Sequence, residues 1–224
     1  MSAPDYGRAF TLWRASAPEW GAYTRHDFVE ALRRGDLPRA NFLHYLRQDY
    51  VFLTHFARAW ALAAAKAGTL AEMQAASATV QALVHHEMPL HVHICAAEGI
   101  DAQALEATIE APANLAYTRY VLEAGYSGDF LDLMAALAPC VMGYGEIGAR
   151  LKGAGGPYSD WIETYAGEEY QALCHDVGGL IDGALAHRLG PDWASLPRFE
   201  HLAQKFATAT RLEVGFWQMG LAGA

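Results

Sequence analysis

Residues 130–152 read FLDLMAALAPCVMGYGEIGARLK. Apolar and small side chains occupy almost the whole circumference of a helix drawn through this run, so its surroundings must be protein rather than water. The run is bounded by local signals on both sides. Asp129, after Gly128, can cap a helix that starts at Phe130. Beyond Lys152 the sequence GAGGP cannot hold a helix, because glycine carries a large backbone entropy cost and proline removes a donor. A buried helix of this length requires other helices to bury it.

Those partners are legible on either side. The spacing predicts helices over 6–15, 26–34, 38–67, 70–97, 113–124, 130–152, 159–166, 168–189 and 193–220. Gly35 and Gly68 suit the left-handed residue that ends a helix, and Pro38 suits the first turn of the next. Alternating strand-like runs bounded by tight-turn pairs are almost absent. With neither an internal repeat nor a long polar linker, the expectation is one all-α domain spanning 1–224, a multi-helix bundle with room for a ligand between helices.

Composition narrows the function classes. Hydrophobic residues make up 53% of 224, enough for a substantial core without disulfides or metals. The net charge of -9 would repel a phosphate backbone, which argues against a nucleic-acid partner. MSAPDYGRAFTLW lacks a basic segment followed by an apolar run, and charged or polar residues interrupt the long apolar segments. The expectation is therefore a cytoplasmic protein without a membrane partner. Cys95, Cys140 and Cys174 form neither an even disulfide set nor a CxxC pattern, so they read as reduced thiols.

Three short constellations combine polar chemistry with aromatic surroundings. Cys140 follows Pro139, which cannot donate to the carbonyl of Ala135 and should bend the helix beside the thiol; Tyr144 lies one turn on. Either Cys140 is a nucleophile with polar neighbours or it is a small buried hydrophobe. In RLEVGFWQM, Glu213, Phe216 and Trp217 share a helix face, so Glu213 is either a desolvated proton carrier or a surface partner of Arg211 or of a neighbouring helix. In YLRQDYVFLTHF, Tyr45, Asp49, Phe52 and Leu53 share another face. A carboxylate among rings suits a flat heterocycle bearing an amine, the competing account being a salt bridge to Arg47 or Arg58. Tyr117 in AYTRY and Tyr165 in WIETYAG gain meaning only in combination with these.

HHEMPLHVH contains His85, His86, Glu87, His91 and His93, with Glu87 and His91 at helical i, i+4 spacing. A di-iron bundle needs Glu-x-x-His from paired helices, and no second such motif stands elsewhere. The reading is a solvated or subunit-facing helix and no metal.

Taken together, Asp49 in QDYVFLTHFA, Tyr117 in AYTRY, the APC of Cys140 with Tyr144, Tyr165 in WIETY and Glu213 in EVGFW closely resemble the TenA family, thiaminase II or aminopyrimidine aminohydrolase, over nearly the whole chain. The resemblance implies a haem-oxygenase-like helical fold without haem, no cofactor, a homotetramer, and a pocket for an aminopyrimidine or thiamin. It implies that Cys140 attacks the pyrimidine ring and that Glu213 manages protons for the thiol and the leaving group. Asp49 would grip the ring nitrogen and amino group, with Phe52, Tyr117, Tyr144, Tyr165 and Phe216 binding the substrate. A cysteine at position 140 marks the cysteine-type branch. Phe52 departs from the tyrosine frequent there in relatives, leaving ring stacking without a hydroxyl contact. The competing classes are a non-catalytic pyrimidine-binding or regulatory protein and a metal-dependent oxidase on a related helical architecture.

Overall fold

The computed structural model describes residues 4–223, so the first three residues of the N-terminal stretch read above lie outside it. Among the described residues there is no strand. The chain forms α1 (Arg8–Ser16), α2 (Trp20–Thr24), α3 (Asp27–Arg34), α4 (Arg39–Lys66), α5 (Leu70–Ala82), a π-helical turn (Leu83–Glu87), α6 (Met88–Ala96), α7 (Ala102–Glu106), α8 (Pro112–Ser127), α9 (Phe130–Leu151), α10 (Ser159–Ala166), α11 (Glu168–Leu189), a 3-10 turn (Trp193–Ser195) and α12 (Pro197–Ala222). The all-α class stands, and the contacts divide the chain into two compact units. One comprises the chain up to Leu37 with Met134–Val214, the other Pro38–Leu133 with the chain from Gly215 onward.

The unit containing α4 is organised by that helix. Phe42, Asp49, Phe56 and Ala63 recur every seventh residue, flanked by Tyr45, Phe52 and Ala59, and all are buried. This spacing lays one continuous seam along the helix and places a carboxylate in an otherwise apolar row. Against it packs α8, whose buried Asn114, Tyr117, Thr118, Val121 and Gly125 fall at helical intervals. The approach is close at Gly125, where a Cβ would come within 2.9 Å of Leu62. Gln48 ties the start of α8 down. Its side-chain oxygen accepts from Ala111 N at 3.0 Å and Asn114 Nδ2 at 2.9 Å, while its amide donates to the Ile109 carbonyl at 3.0 Å.

The other unit is built from α1, α2, α3, α10 and α11 with most of α9 and α12. Asp182 on α11 accepts from the backbone N–H groups of Arg8 and Ala9, both at 2.8 Å, and so caps α1 with a tertiary carboxylate. Phe10, Trp13, Trp20 and Phe206 form an aromatic core, with Trp20 stacked on Phe206 at 5.4 Å between centroids.

Several expectations change in detail. Asp129 caps α9 as read, accepting from Leu131 N at 2.8 Å, and Gly35 ends α3 with φ 76. Gly68 is not left-handed. Its N–H instead donates to Glu72 Oε2 at 2.7 Å while Thr69 Oγ1 accepts from Glu72 N, a reciprocal cap on α5. The single helix expected over 70–97 is interrupted by the π-helical turn, which ends two residues before Pro89. α9 stays helical through Pro139. By length and mean hydropathy, 1.3, it could cross a membrane; with 94% of that stretch buried in protein, it is a core helix.

Candidate functional site

Asp49 is where the carboxylate meets the rings. It is 3% exposed, in the apolar seam of α4, and its Oδ2 accepts from Tyr45 Oη at 3.0 Å. The same oxygen lies 2.7 Å from His91 Nε2 on α6, and His91 is itself 1% exposed. The competing account, a salt bridge to Arg47 or Arg58, gives way to this buried pair; Arg58 instead faces His55. A buried carboxylate needs such neighbours, since an unpaired one costs several kcal/mol, of order 3–5. Burial alone would lower the imidazole pKa of His91, but the hydrogen bond and charge of Asp49 outweigh it and the pKa is raised.

Aromatic rings gather one turn further along α4. Phe52 lies 4.6 Å from Tyr117 and 5.6 Å from Phe216 between ring centroids, and Tyr45 meets Phe216 edge-on at 6.1 Å. Four of the residues picked out from the sequence, Asp49, Phe52, Tyr117 and Phe216, thus belong to one buried group. Its rings lie tilted or edge-on to one another, with the carboxylate as the polar member of the group.

In the other unit, Cys140 and Tyr144 lie one turn apart on α9. Tyr144 packs on Tyr165 at 4.9 Å and on Trp161 at 6.0 Å, and Tyr165 meets Tyr170 edge-on at 4.9 Å. Backbone carbonyls flanking the thiol attract side chains from outside the helix. Tyr23 Oη donates to the Pro139 carbonyl at 3.2 Å, and Tyr170 Oη to that of Val141 at 3.2 Å. The sulfur carrier keeps 8% of its surface exposed, while Ala136, Leu137 and Met142 keep none.

The three cysteines are free thiols, but they differ. Burial pushes the thiols of Cys95 and Cys174 up, so neither suits a nucleophile at neutral pH. Cys174 spends its proton on the Val141 carbonyl at 3.4 Å. Glu213 is 1% exposed on α12, which removes the surface pairing with Arg211, itself exposed.

The histidine-rich segment splits. His85, His86 and His93 are exposed, as a solvated helix face requires, whereas His91 points inward. Its Nδ1 meets the backbone carbonyl of Glu87 at 3.0 Å rather than the Glu87 carboxylate suggested by the i, i+4 spacing. His91 is the site residue the sequence reading missed. Its signal was the register with buried Cys95 four residues on.

A sequence model of the TENA/THI-4/PQQC family matches residues 13–223. A protein of Haemophilus influenzae is 39% identical over 94% of this chain and 97% of its own length. An aminopyrimidine aminohydrolase of Halalkalibacterium halodurans is 35% identical, covering 94% of each chain. The crystal structure of a TenA family transcription regulator from Silicibacter superposes with a TM-score of 0.94 at 63% identity, over 96% of this chain and 97% of that one. With a buried carboxylate among rings, a cysteine and tyrosine one turn apart on α9, and this match along nearly its whole length, the chain belongs to the TENA/THI-4/PQQC family.

Proposed function

We propose that the protein is an aminopyrimidine aminohydrolase of thiamin salvage, converting an aminomethyl-pyrimidine and water into hydroxymethyl-pyrimidine and ammonia. The observation that carries this reading is Asp49, a buried carboxylate oriented by Tyr45 and His91 in the same aromatic group as Phe52, Tyr117 and Phe216. Such a group accepts from an exocyclic amine while rings stack on the heterocycle. Full-length relatives that carry the aminohydrolase name support the same class.

In this reading the Cys140 thiolate adds to an electron-poor ring carbon, forming a C–S bond and breaking aromaticity. The displaced electron density expels the exocyclic amine, which leaves as ammonia with a proton supplied by Glu213. Water then adds to the exocyclic methylene, returning a proton to Glu213. Departure of the thiolate restores the aromatic ring. Thiamin enters the same scheme with its thiazole as leaving group. Tyr144 and Tyr165 hydrogen-bond the substrate, and no metal or organic cofactor takes part. The reading places the enzyme in the cytoplasm, where three free thiols persist, and assembles it as a homotetramer. The exposed Leu70, Met73 and Val84 offer apolar surface for that assembly.

A second reading, a pyrimidine-binding regulator without turnover, is favoured by the name given to the Silicibacter structure. Product analysis separates the two. Aminomethyl-pyrimidine, its formylated form and thiamin are supplied separately and their kcat/KM values compared. Hydroxymethyl-pyrimidine released stoichiometrically with ammonia from the first supports the enzyme, while saturable binding of all three without product establishes the regulator.

A further inference from the structure

The hydrogen bonds around His91 fix a proton count. Its Nδ1 faces the Glu87 backbone carbonyl, which can only accept, so Nδ1 carries hydrogen. Its Nε2 faces Asp49 Oδ2 at 2.7 Å, in the range of charge-assisted bonds. A lone pair cannot face a lone pair there, so the Asp49–His91 pair holds one proton between them, as imidazolium and carboxylate or as imidazole and acid. Tyr45 Oη donates to the same oxygen at 3.0 Å. Both hydrogen bonds therefore involve Oδ2, and among the described residues none falls on Oδ1.

The segment carrying His91 is shaped for this. The π-helical turn Leu83–Glu87 immediately precedes α6, and Pro89 brings no N–H to that first turn. The Glu87 carbonyl, the last in the turn, takes Nδ1 and so fixes the imidazole plane. A histidine held by a carbonyl on one nitrogen presents the other in a fixed direction, as the supporting partners of metal-ligating histidines do.

From these contacts we infer that His91 is a positioning residue for pyrimidine recognition, holding Asp49 by Oδ2 so that Oδ1 is the oxygen offered to the amino group of the ligand. The inference rests on the reading of Asp49 as the group that grips the pyrimidine. His91 acts through Asp49 and takes no part in bond making or breaking.

The test compares H91L, H91Q and H91N in the full chain, using aminomethyl-pyrimidine as the probe. The H91L change removes the imidazole that holds Oδ2 and is expected to raise KM by roughly 10-fold to 100-fold, with kcat changed by less than about threefold, the pattern of lost uniform binding. Glutamine can place an N–H near the position of Nε2, so H91Q is expected to recover KM to within about fivefold of the parent. Asparagine reaches only as far as Nδ1, so H91N should behave like H91L. The double variant D49N/H91L should be no worse than D49N. An unchanged KM in H91L, or equal impairment of H91Q and H91N, overturns the inference. If H91L does not fold, the H91Q to H91N comparison decides alone. A parent chain that neither binds nor converts the pyrimidine overturns the functional reading and this inference with it; a parent that binds, beside an H91L variant that binds equally well, overturns the role of His91 only.

Discussion

Gly148 on α9 lies so close to the backbone of Tyr165 on α10 that a Cβ there would overlap the Tyr165 carbonyl and stand 2.7 Å from the Ala166 nitrogen. The neighbour is backbone and cannot swing aside, so the contact fixes α10 against α9. It thereby sets the 4.9 Å packing of Tyr165 on Tyr144.

The variant G148A must separate the two helices. Overpacking of this kind costs about 1–3 kcal/mol. A drop in Tm of roughly 4–8 °C is expected for about 2 kcal/mol in a chain of this size. Displacement of Tyr165 should also raise KM for the pyrimidine. Thermal melts and steady-state kinetics of the purified variant check both.

The Asp49–His91 pair makes stability depend on pH in a definite direction. Burial opposes the charged imidazole, but the bond and charge of Asp49, with the charge and carbonyl of Glu87, raise its pKa in the folded protein. Its stabilisation is complete below the unfolded histidine value, about 6.5, and is lost as the pH climbs through the higher folded value. The stability gap between the parent and H91Q should be widest near pH 6 and narrow toward alkaline pH. Urea unfolding at several pH values measures it; a gap that widens with pH contradicts the assigned direction.

Glu110 should behave in the opposite sense. Burial would raise its pKa, but bonds from Arg119 and Thr118 outweigh it and the value is lowered. The stabilisation is present above the unfolded carboxyl value, near 4.5, and disappears as pH falls through the lower folded value. Because Arg119 is half exposed, E110Q should cost only about 0.5–1 kcal/mol at pH 7 and nothing below both pKa values. Matched unfolding curves at neutral and acidic pH read the difference.

The long helices were legible because their apolar periodicity extends over many turns. α10 and α11 begin and end where the sequence signals put them, and α9 differs by one residue. α2 and α7, five residues each, were missed because a period cannot show itself in so short a run. The π-helical turn escaped for another reason. One helix through 70–97 satisfies the same apolar pattern, and only Pro89 hinted at a break.

The site divides along similar lines. Asp49 stood out as the polar member of an apolar row, a property of one helix. Its partner did not, since His91 lies 42 residues away and its local spacing pointed to Glu87. Tertiary pairing between separate helices leaves no periodic trace, so the nearby arginines looked equally eligible.

The most direct test of the proposed chemistry is C140S, followed by product formation and by pyrimidine binding in the same preparation. Recognition is assigned to Asp49 and its aromatic neighbours, and bond making to the sulfur. The variant should therefore release no hydroxymethyl-pyrimidine above background while binding the aminomethyl-pyrimidine within about threefold of the parent affinity. Turnover close to the parent rate would show that the thiol is not the nucleophile.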